Sequence, residues 1–243
     1  MNKSYHYWRS PALGIDMPMA VYGHFGTPML MFPTAAADFE EYERMGLIGA
    51  IAHHVEAGRV KLYCVNAINN MSWFNDGIHP AERARRQALY DRYIHEEVVP
   101  FIHNNCNGMV GICTVGASMG AYHAVNEQLK HPWVFRYSIG MSGIYEISRY
   151  FDGYYDDNCY FNNPPDYVGG MTDHNALEQL RACSINIVVG QGPWEHVDWS
   201  ERIADALWSK AVPCNFDKWG FDVSHDWPWW KVEMNHYIPK LFG

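Results

Sequence analysis

The chain has 243 residues, of which 48% are hydrophobic and 19% charged, and its formal net charge at pH 7 is −9. This length and composition predict one large globular domain spanning residues 1–243 and exclude a disordered chain. The acidic balance argues against nucleic acid as a partner, and the one basic cluster, residues 83–86, is predicted to lie on a solvated helix face.

The first elements of the chain are predicted to be a pair of antiparallel strands on either side of a turn at residues 14–16. A helical period of apolar residues then runs from Glu40 to Glu56, and Gly58 is predicted to end that helix. A second helix begins at Pro80, and Pro100 is expected to kink it near its end.

Strands and helices alternate along the rest of the chain. Short apolar runs typical of buried strands lie at residues 28–33, 59–67, 111–117, 135–143, 184–192 and 214–220. Further helices are predicted at residues 119–131, 198–210 and 229–241. This alternation predicts an α/β fold with a mostly parallel central sheet and helices on both faces. Residues 144–173, rich in Tyr, Asp, Asn, Gly and Pro, interrupt it, and we expect a lid-like insertion there.

The pentapeptide Gly-Ala-Ser-Met-Gly, residues 116–120, lies where a predicted strand becomes a predicted helix. A sharp turn at this point would raise the hydroxyl of Ser118 above the sheet, and the two glycines would leave room for the crowded backbone. The N–H of Met119 would then face a reacting carbonyl at the positive end of the helix. Ser118 is therefore the predicted nucleophile and Met119 an oxyanion donor.

A serine nucleophile needs a histidine base and an acid, which follow it in the chain in this type of fold. His225 lies between the last predicted strand and the final helix, which suits the base. Two acids, Glu195 and Asp198, follow the preceding strand. Glu195 is preferred because it is closer to the strand end, whereas Asp198 also fits a residue of a helix N-terminus. The second oxyanion donor is predicted at Ala35, to within one residue, because the small residues of the stretch 34–38 let a backbone N–H approach the substrate.

Four stretches of this sequence resemble the putative-esterase branch of the α/β-hydrolases, which includes S-formylglutathione hydrolases, feruloyl esterases and mycolyltransferases. They are "EEVVPFIHNNC", "GASMGAYHA", "HPWVFRYSIGMSG" and "SHDWPWW", and the resemblance runs from about Leu30 to the C-terminus. It implies an α/β-hydrolase fold without a metal or organic cofactor, with Ser118, Glu195 and His225 as the triad and Met119 as oxyanion donor. Ala121 departs from the family, which often has a further glycine there, and the loop after residue 33 lacks the family's usual glycine.

Aromatic side chains on loops at the carboxyl edge of the sheet are predicted to bind the substrate. They are Trp73, Phe74, Tyr145 and Trp194. Together they favour a small to medium, apolar or aromatic ester. We therefore expect a serine carboxylesterase. An acyltransferase with the same triad and a non-catalytic binding protein on a hydrolase scaffold are the alternatives.

Other sequence features indicate where such a protein acts and what it does not bind. The six cysteines lack metal-site or redox-pair spacing, and no metal or nucleotide motif is present. The N-terminus has no apolar signal segment, and no window is long enough to cross a membrane. We expect a reduced, cytoplasmic protein that has no metal and does not bind membranes, whose oligomeric state the sequence leaves open.

Overall fold

A single eight-stranded sheet organises the computed structural model, which describes residues 1–243. The strands are β1 (Lys3–Arg9), β2 (Asp16–Tyr22), β3 (Thr27–Phe32), β4 (Val60–Val65), β5 (Ile112–Ala117), β6 (Phe135–Met141), β7 (Ser184–Val189) and β8 (Asn215–Lys218). Their order in the sheet is β1-β2-β4-β3-β5-β6-β7-β8. Strand β2 pairs antiparallel with β1 and β4, and every other pair is parallel. The predicted fold class, a mostly parallel sheet that begins with an antiparallel pair, is confirmed.

Helices cover both faces of this sheet. They are α1 (Glu41–Arg44), α2 (Leu47–Ala50), α3 (Ala52–Glu56), α4 (Pro80–Tyr93), α5 (Val99–Asn105), α6 (Met119–Lys130), α7 (Asp157–Tyr160), α8 (Pro164–Gly170), α9 (His174–Arg181), α10 (Val197–Ser209) and α11 (Trp227–Phe242). On one face α2 and α11 pack through residues such as Ile48 and Met234, and on the other α4 and α5 pack through Tyr90 and Ile102. Both faces of the central strands are thus buried, which is why those strands read as continuous apolar runs. No helix of the chain combines the length and the apolar character needed to cross a bilayer.

The helix predicted from Glu40 to Glu56 is wrong as one element. The segment forms the three short helices α1 to α3. Gly46, between α1 and α2, adopts a left-handed conformation with φ of 75°, and Ile51, with φ of −105° and ψ of 9°, separates α2 from α3. The apolar period of the segment still holds in space, since Ile48, Ile51 and Val55 are all buried.

The helix that begins at Pro80 contains a π-helical turn, Ile94–Val98, immediately before α5. Pro100, in the first turn of α5, has no N–H to donate to the carbonyl of Glu96. A widened turn accommodates this missing hydrogen bond without ending the helix. The irregularity predicted from Pro100 is therefore present as a π-turn.

The region 144–173 contains a 3₁₀ turn, Ser148–Tyr150, followed by α7 and α8. Arg83 joins this region to α4, because its guanidinium lies 3.0 Å from Asp152 Oδ2 and donates to the carbonyl of Tyr150. Arg83 is itself buried. The prediction that residues 83–86 lie together on a solvated helix face is therefore wrong for Arg83.

Candidate active site

Ser118 occupies the sharp turn between β5 and α6. Its backbone has φ of 55° and ψ of −121°, a conformation that costs strain for any residue other than glycine. A Cβ on Gly116 would lie 2.1 Å from the carbonyl carbon of Gly120, and one on Gly120 would lie 2.3 Å from the carbonyl oxygen of Phe32. The predicted need for glycine at both positions is confirmed.

The carboxyl ends of three neighbouring strands meet beside this turn. The N–H of Ser118 donates to the carbonyl of Met141 at the end of β6, at 2.9 Å. The N–H of Ser142 donates in turn to Val188 near the end of β7, at 2.8 Å. Loops that follow β6 and β7 therefore begin close to Ser118, although they are far from it in the sequence.

His225, on the loop after β8, forms an ion pair with Glu195, on the loop after β7. His225 Nδ1 lies 3.5 Å from Glu195 Oε2, and the glutamate side chain is only 1% exposed whereas the histidine is 22% exposed. The separation is longer than a formed N–H···O hydrogen bond. Loop hydrogen bonding brings the two together, since the N–H of His225 donates to the carbonyl of Pro193.

Ser142 and Trp230 fix the carboxylate of Glu195 from the other side. The hydroxyl of Ser142 donates to Glu195 Oε1 at 2.6 Å, and the indole N–H of Trp230 donates to the Ser142 oxygen at 3.0 Å. The Trp230 ring also meets the His225 ring edge to face, with centroids 5.2 Å apart. The sequence patterns did not single out Ser142. Its one recognisable feature in the sequence is that it is a small polar residue directly after β6, the strand next to β5.

Asp198, the alternative acid, lies elsewhere. Its side chain is 57% exposed, is in the first turn of α10, and lies 3.7 Å from Arg202 one helical turn later. An exposed carboxylate paired in this way is a helix-terminus residue. The structure thus brings Glu195, and not Asp198, to His225.

A second buried carboxyl group, that of Glu233 on α11, faces the same region. Neither of its oxygens has a hydrogen-bond partner. Burial, with smaller contributions from the charges of Glu195 and Asp217, raises the pKa of Glu233 from its ordinary value of 4.5 to about 8. Glu233 is therefore protonated in the folded protein at pH 7.

This raised pKa predicts a pH-dependent stability. Between pH 4.5 and 8 the folded state holds a proton on Glu233 that the unfolded chain has lost, so the free energy of unfolding falls as pH rises. The fall is expected to be on the order of 4 kcal/mol. Urea unfolding of the parent and Glu233→Gln at pH 5 and pH 8 measures it, because the variant lacks this contribution. Equal pH slopes for the two proteins would contradict the prediction.

The two predicted oxyanion donors lie at this edge of the sheet. Met119 is the first residue of α6, where N–H groups have no partner within the helix. Ala35 follows β3, which pairs with β5, and has φ of 20°. Neither the N–H of Ala35 nor that of Ala36 donates a hydrogen bond within the chain.

The four aromatic residues predicted to bind substrate have different environments. Trp73 and Tyr145 are fully buried, so they have no surface for a ligand to touch in this conformation. Trp73 instead packs in one cluster with Met119 and Phe151. Phe74 is half-buried against Tyr150, with ring centroids 5.4 Å apart.

Trp194, the fourth of these aromatics, is 85% exposed on the loop that carries Glu195. Phe221, which the sequence patterns did not single out, is 80% exposed. Its loop packs on that of Trp194, since the N–H of Gln191 donates to the carbonyl of Gly220. Two exposed rings thus lie on neighbouring loops at the edge of the sheet that carries the predicted triad residues.

A cavity of about 1190 Å³ lies at the opposite, amino edge of the sheet. Its lining includes Thr27, Gly111 and Ser184, which are at the beginnings of parallel strands or just before them. Ligands of open α/β sheets bind at the carboxyl ends of the strands. This cavity is therefore separate from the site around Ser118.

Comparison with models of protein families gives a match to the family described as Putative esterase over residues 66–241. The chain belongs to the Putative esterase family. The matched segment contains Ser118, Glu195, His225 and Glu233, whereas Ala35 precedes it. This membership makes the protein a carboxylic-ester hydrolase and confirms the resemblance seen in the sequence motifs.

Solved structures show that this esterase has the α/β-hydrolase fold. A ferulic acid esterase superposes with a TM-score of 0.77 at 17% identity, covering 99% of this chain and 98% of the other. An S-formylglutathione hydrolase from Agrobacterium tumefaciens gives a TM-score of 0.73 at 13% identity, covering 99% and 95%. The fluorophosphonate-binding serine hydrolase FphF of Staphylococcus aureus gives 0.64 at 15%, covering 100% and 98%. A search of curated protein sequences found no match.

Proposed function

We propose that this esterase is a serine carboxylesterase that hydrolyses small to medium, apolar or aromatic carboxylic esters through a Ser118–His225–Glu195 triad. The observation that carries the proposal is the buried Glu195 carboxylate, 3.5 Å from His225 Nδ1. Glu195 is linked to the strained turn of Ser118 through Ser142, which bonds to the Glu195 carboxylate and follows β6, the strand next to β5. A strained serine and a buried acid–histidine pair at the same edge of the sheet are the parts that acyl transfer to serine requires.

The reaction proceeds in two steps. His225 Nε2 takes the proton of Ser118 Oγ as that oxygen attacks the ester carbonyl, while the N–H groups of Met119 and Ala35 stabilise the oxyanion. His225 then protonates the departing alcohol, which leaves an acyl group on Ser118. Water, deprotonated by His225, attacks this acyl-enzyme and releases the carboxylic acid. Glu195 holds the imidazole in one tautomer and stabilises its charged form.

The insertion at 144–173 is proposed to form one wall of the substrate site. Its residues Ile147 and Phe151 pack with Trp73 and Met119, so it lies directly against the first turn of the elbow helix. Trp194 and Phe221 are proposed as the exposed apolar surface for the acyl or alcohol group. Aromatic surface of this kind binds apolar or aromatic groups better than charged ones.

A panel of p-nitrophenyl esters tests this substrate class. We expect kcat/KM for acetate, butyrate and an aromatic acyl ester to exceed that for a succinyl ester, which carries a charge, by about 10-fold or more. Trp194→Ala should raise KM for the aromatic ester with little change for acetate. Preference for the charged ester would contradict the proposed class. Added alcohol distinguishes an acyltransferase, whose product would be chiefly a new ester.

A further inference from the structure

A buried amide, that of Asn69, connects the elbow helix to the predicted oxyanion loop. Asn69 lies in the 3₁₀ turn Asn69–Met71, after β4, and its Nδ2 donates to the carbonyl oxygen of Ala35. Its Oδ1 lies 2.8 Å from Nε2 of His123, which is on α6. Asn69 and His123 are both buried. Neither residue is part of the triad.

The neighbours of His123 and Asn69 determine which atom donates and which accepts in the two hydrogen bonds of Asn69. Complete burial lowers the pKa of His123 to about 3, so the imidazole is neutral and carries one N–H. Gln87 Nε2 approaches Nδ1 of His123 at 3.5 Å, which leaves Nε2 as the protonated nitrogen. That N–H requires Oδ1 of Asn69 to face it. The Nδ2 of Asn69 must then face Ala35, because the flipped amide would place two oxygens against each other.

The oxyanion loop is held at two points. Thr34 donates from its N–H and its hydroxyl to the carboxylate of Glu41, at 2.7 and 2.6 Å. The Ala35 carbonyl is held by Asn69. In a trans peptide the C=O and the next N–H point in opposite directions, so holding that carbonyl fixes the peptide between Ala35 and Ala36. The φ of 20° at Ala35 shows a backbone that needs such support.

We propose that Asn69, oriented by His123, is a positioning residue that holds the loop at Ala35 in the conformation that stabilises the oxyanion. The inference rests on the proposed function. Loss of the Asn69 amide frees the peptide after Ala35 to rotate, and the N–H groups of Ala35 and Ala36, which donate to no group of the chain, then no longer point at the oxygen that becomes charged. Because that charge develops only in the transition state, the loss falls on kcat and leaves substrate binding largely unchanged.

The test compares the parent with Asn69→Ala, His123→Phe and Tyr122→Phe. The first two are expected to lower kcat for p-nitrophenyl acetate about 10- to 100-fold with KM within about 3-fold of the parent. Tyr122→Phe is the matched control, because its buried hydroxyl, one residue from His123, donates instead to the carbonyl of Asn162. Kinetics like those of the parent in Asn69→Ala, or an equal loss in Tyr122→Phe, would overturn the proposal.

Asn69→Asp gives a second readout that a general loss of packing would not produce. A protonated aspartic acid can accept from His123 and donate to Ala35, whereas its ionised form cannot donate. Its kcat relative to the parent should therefore fall as pH rises, and a ratio independent of pH would count against the proposal. If Ser118→Ala abolishes hydrolysis while the Asn69 variants are normal, this inference alone fails. If Ser118→Ala retains hydrolysis, the proposed function fails as well.

Discussion

Ser118→Ala is expected to lower kcat for p-nitrophenyl acetate by about 10⁴-fold or more, with little change in KM. The hydroxyl oxygen is the atom that forms the acyl bond, and no other side chain in the strained turn between β5 and α6 can replace it. Initial rates at saturating substrate, with enzyme in large excess over any background esterase, measure the loss.

Ser138→Ala is the matched control for this change. Ser138 is a buried serine of β6, the strand next to β5, and its hydroxyl has no hydrogen-bond partner. Its removal is expected to leave kcat within about 2-fold of the parent, because this hydroxyl makes no hydrogen bond that the change would break. Turnover by Ser118→Ala at the parent's rate would show that the nucleophile is elsewhere.

Glu195→Gln is expected to lower kcat about 10³- to 10⁴-fold while the fold remains intact. The amide keeps an oxygen for the Ser142 hydroxyl, whose bond to Glu195 is 2.6 Å long. Its NH₂ group then faces Nδ1 of His225 and favours the imidazole tautomer that cannot accept the serine proton. Asp198→Asn, at an exposed position beside Arg202, should have kcat close to that of the parent.

A comparison of these two variants decides between the acids. A larger loss in Asp198→Asn than in Glu195→Gln would reverse the assignment. Circular dichroism of both proteins at 25 °C controls for unfolding, because a buried carboxylate that loses its charge also changes local stability. The expected pattern is a native spectrum for both and a catalytic defect in Glu195→Gln alone.

Local patterns predicted the elements that carry the site. The run of apolar residues before Gly116 and the helix formers after Gly120 predicted β5, the turn and α6 with boundaries close to those in the structure. The same holds for β7, whose end positions Glu195. These predictions succeeded because strand and helix periods, and the need for glycine at a crowded turn, are properties of neighbouring residues.

Residues that act across long separations could not be predicted in this way. Ser142 bonds to Glu195 53 positions later, and Asn69 bonds to Ala35 34 positions earlier. Arg83 was predicted to be a surface residue because its partners, Tyr150 and Asp152, lie far along the chain, in the region 144–173. Burial of Trp73 and Tyr145 is likewise decided by how helices and loops pack on the sheet.

Covalent labelling of the intact folded protein with a fluorophosphonate, followed by peptide mapping, tests the central claim most directly. A triad that activates Ser118 predicts one adduct, on the peptide that contains Gly116 to Gly120. The folded parent should form this adduct, the parent unfolded in 8 M urea should not react, and His225→Gln should react at least about 10²-fold more slowly. An adduct at another residue, or hydrolysis of p-nitrophenyl acetate that continues at full rate with Ser118 unmodified, would contradict it.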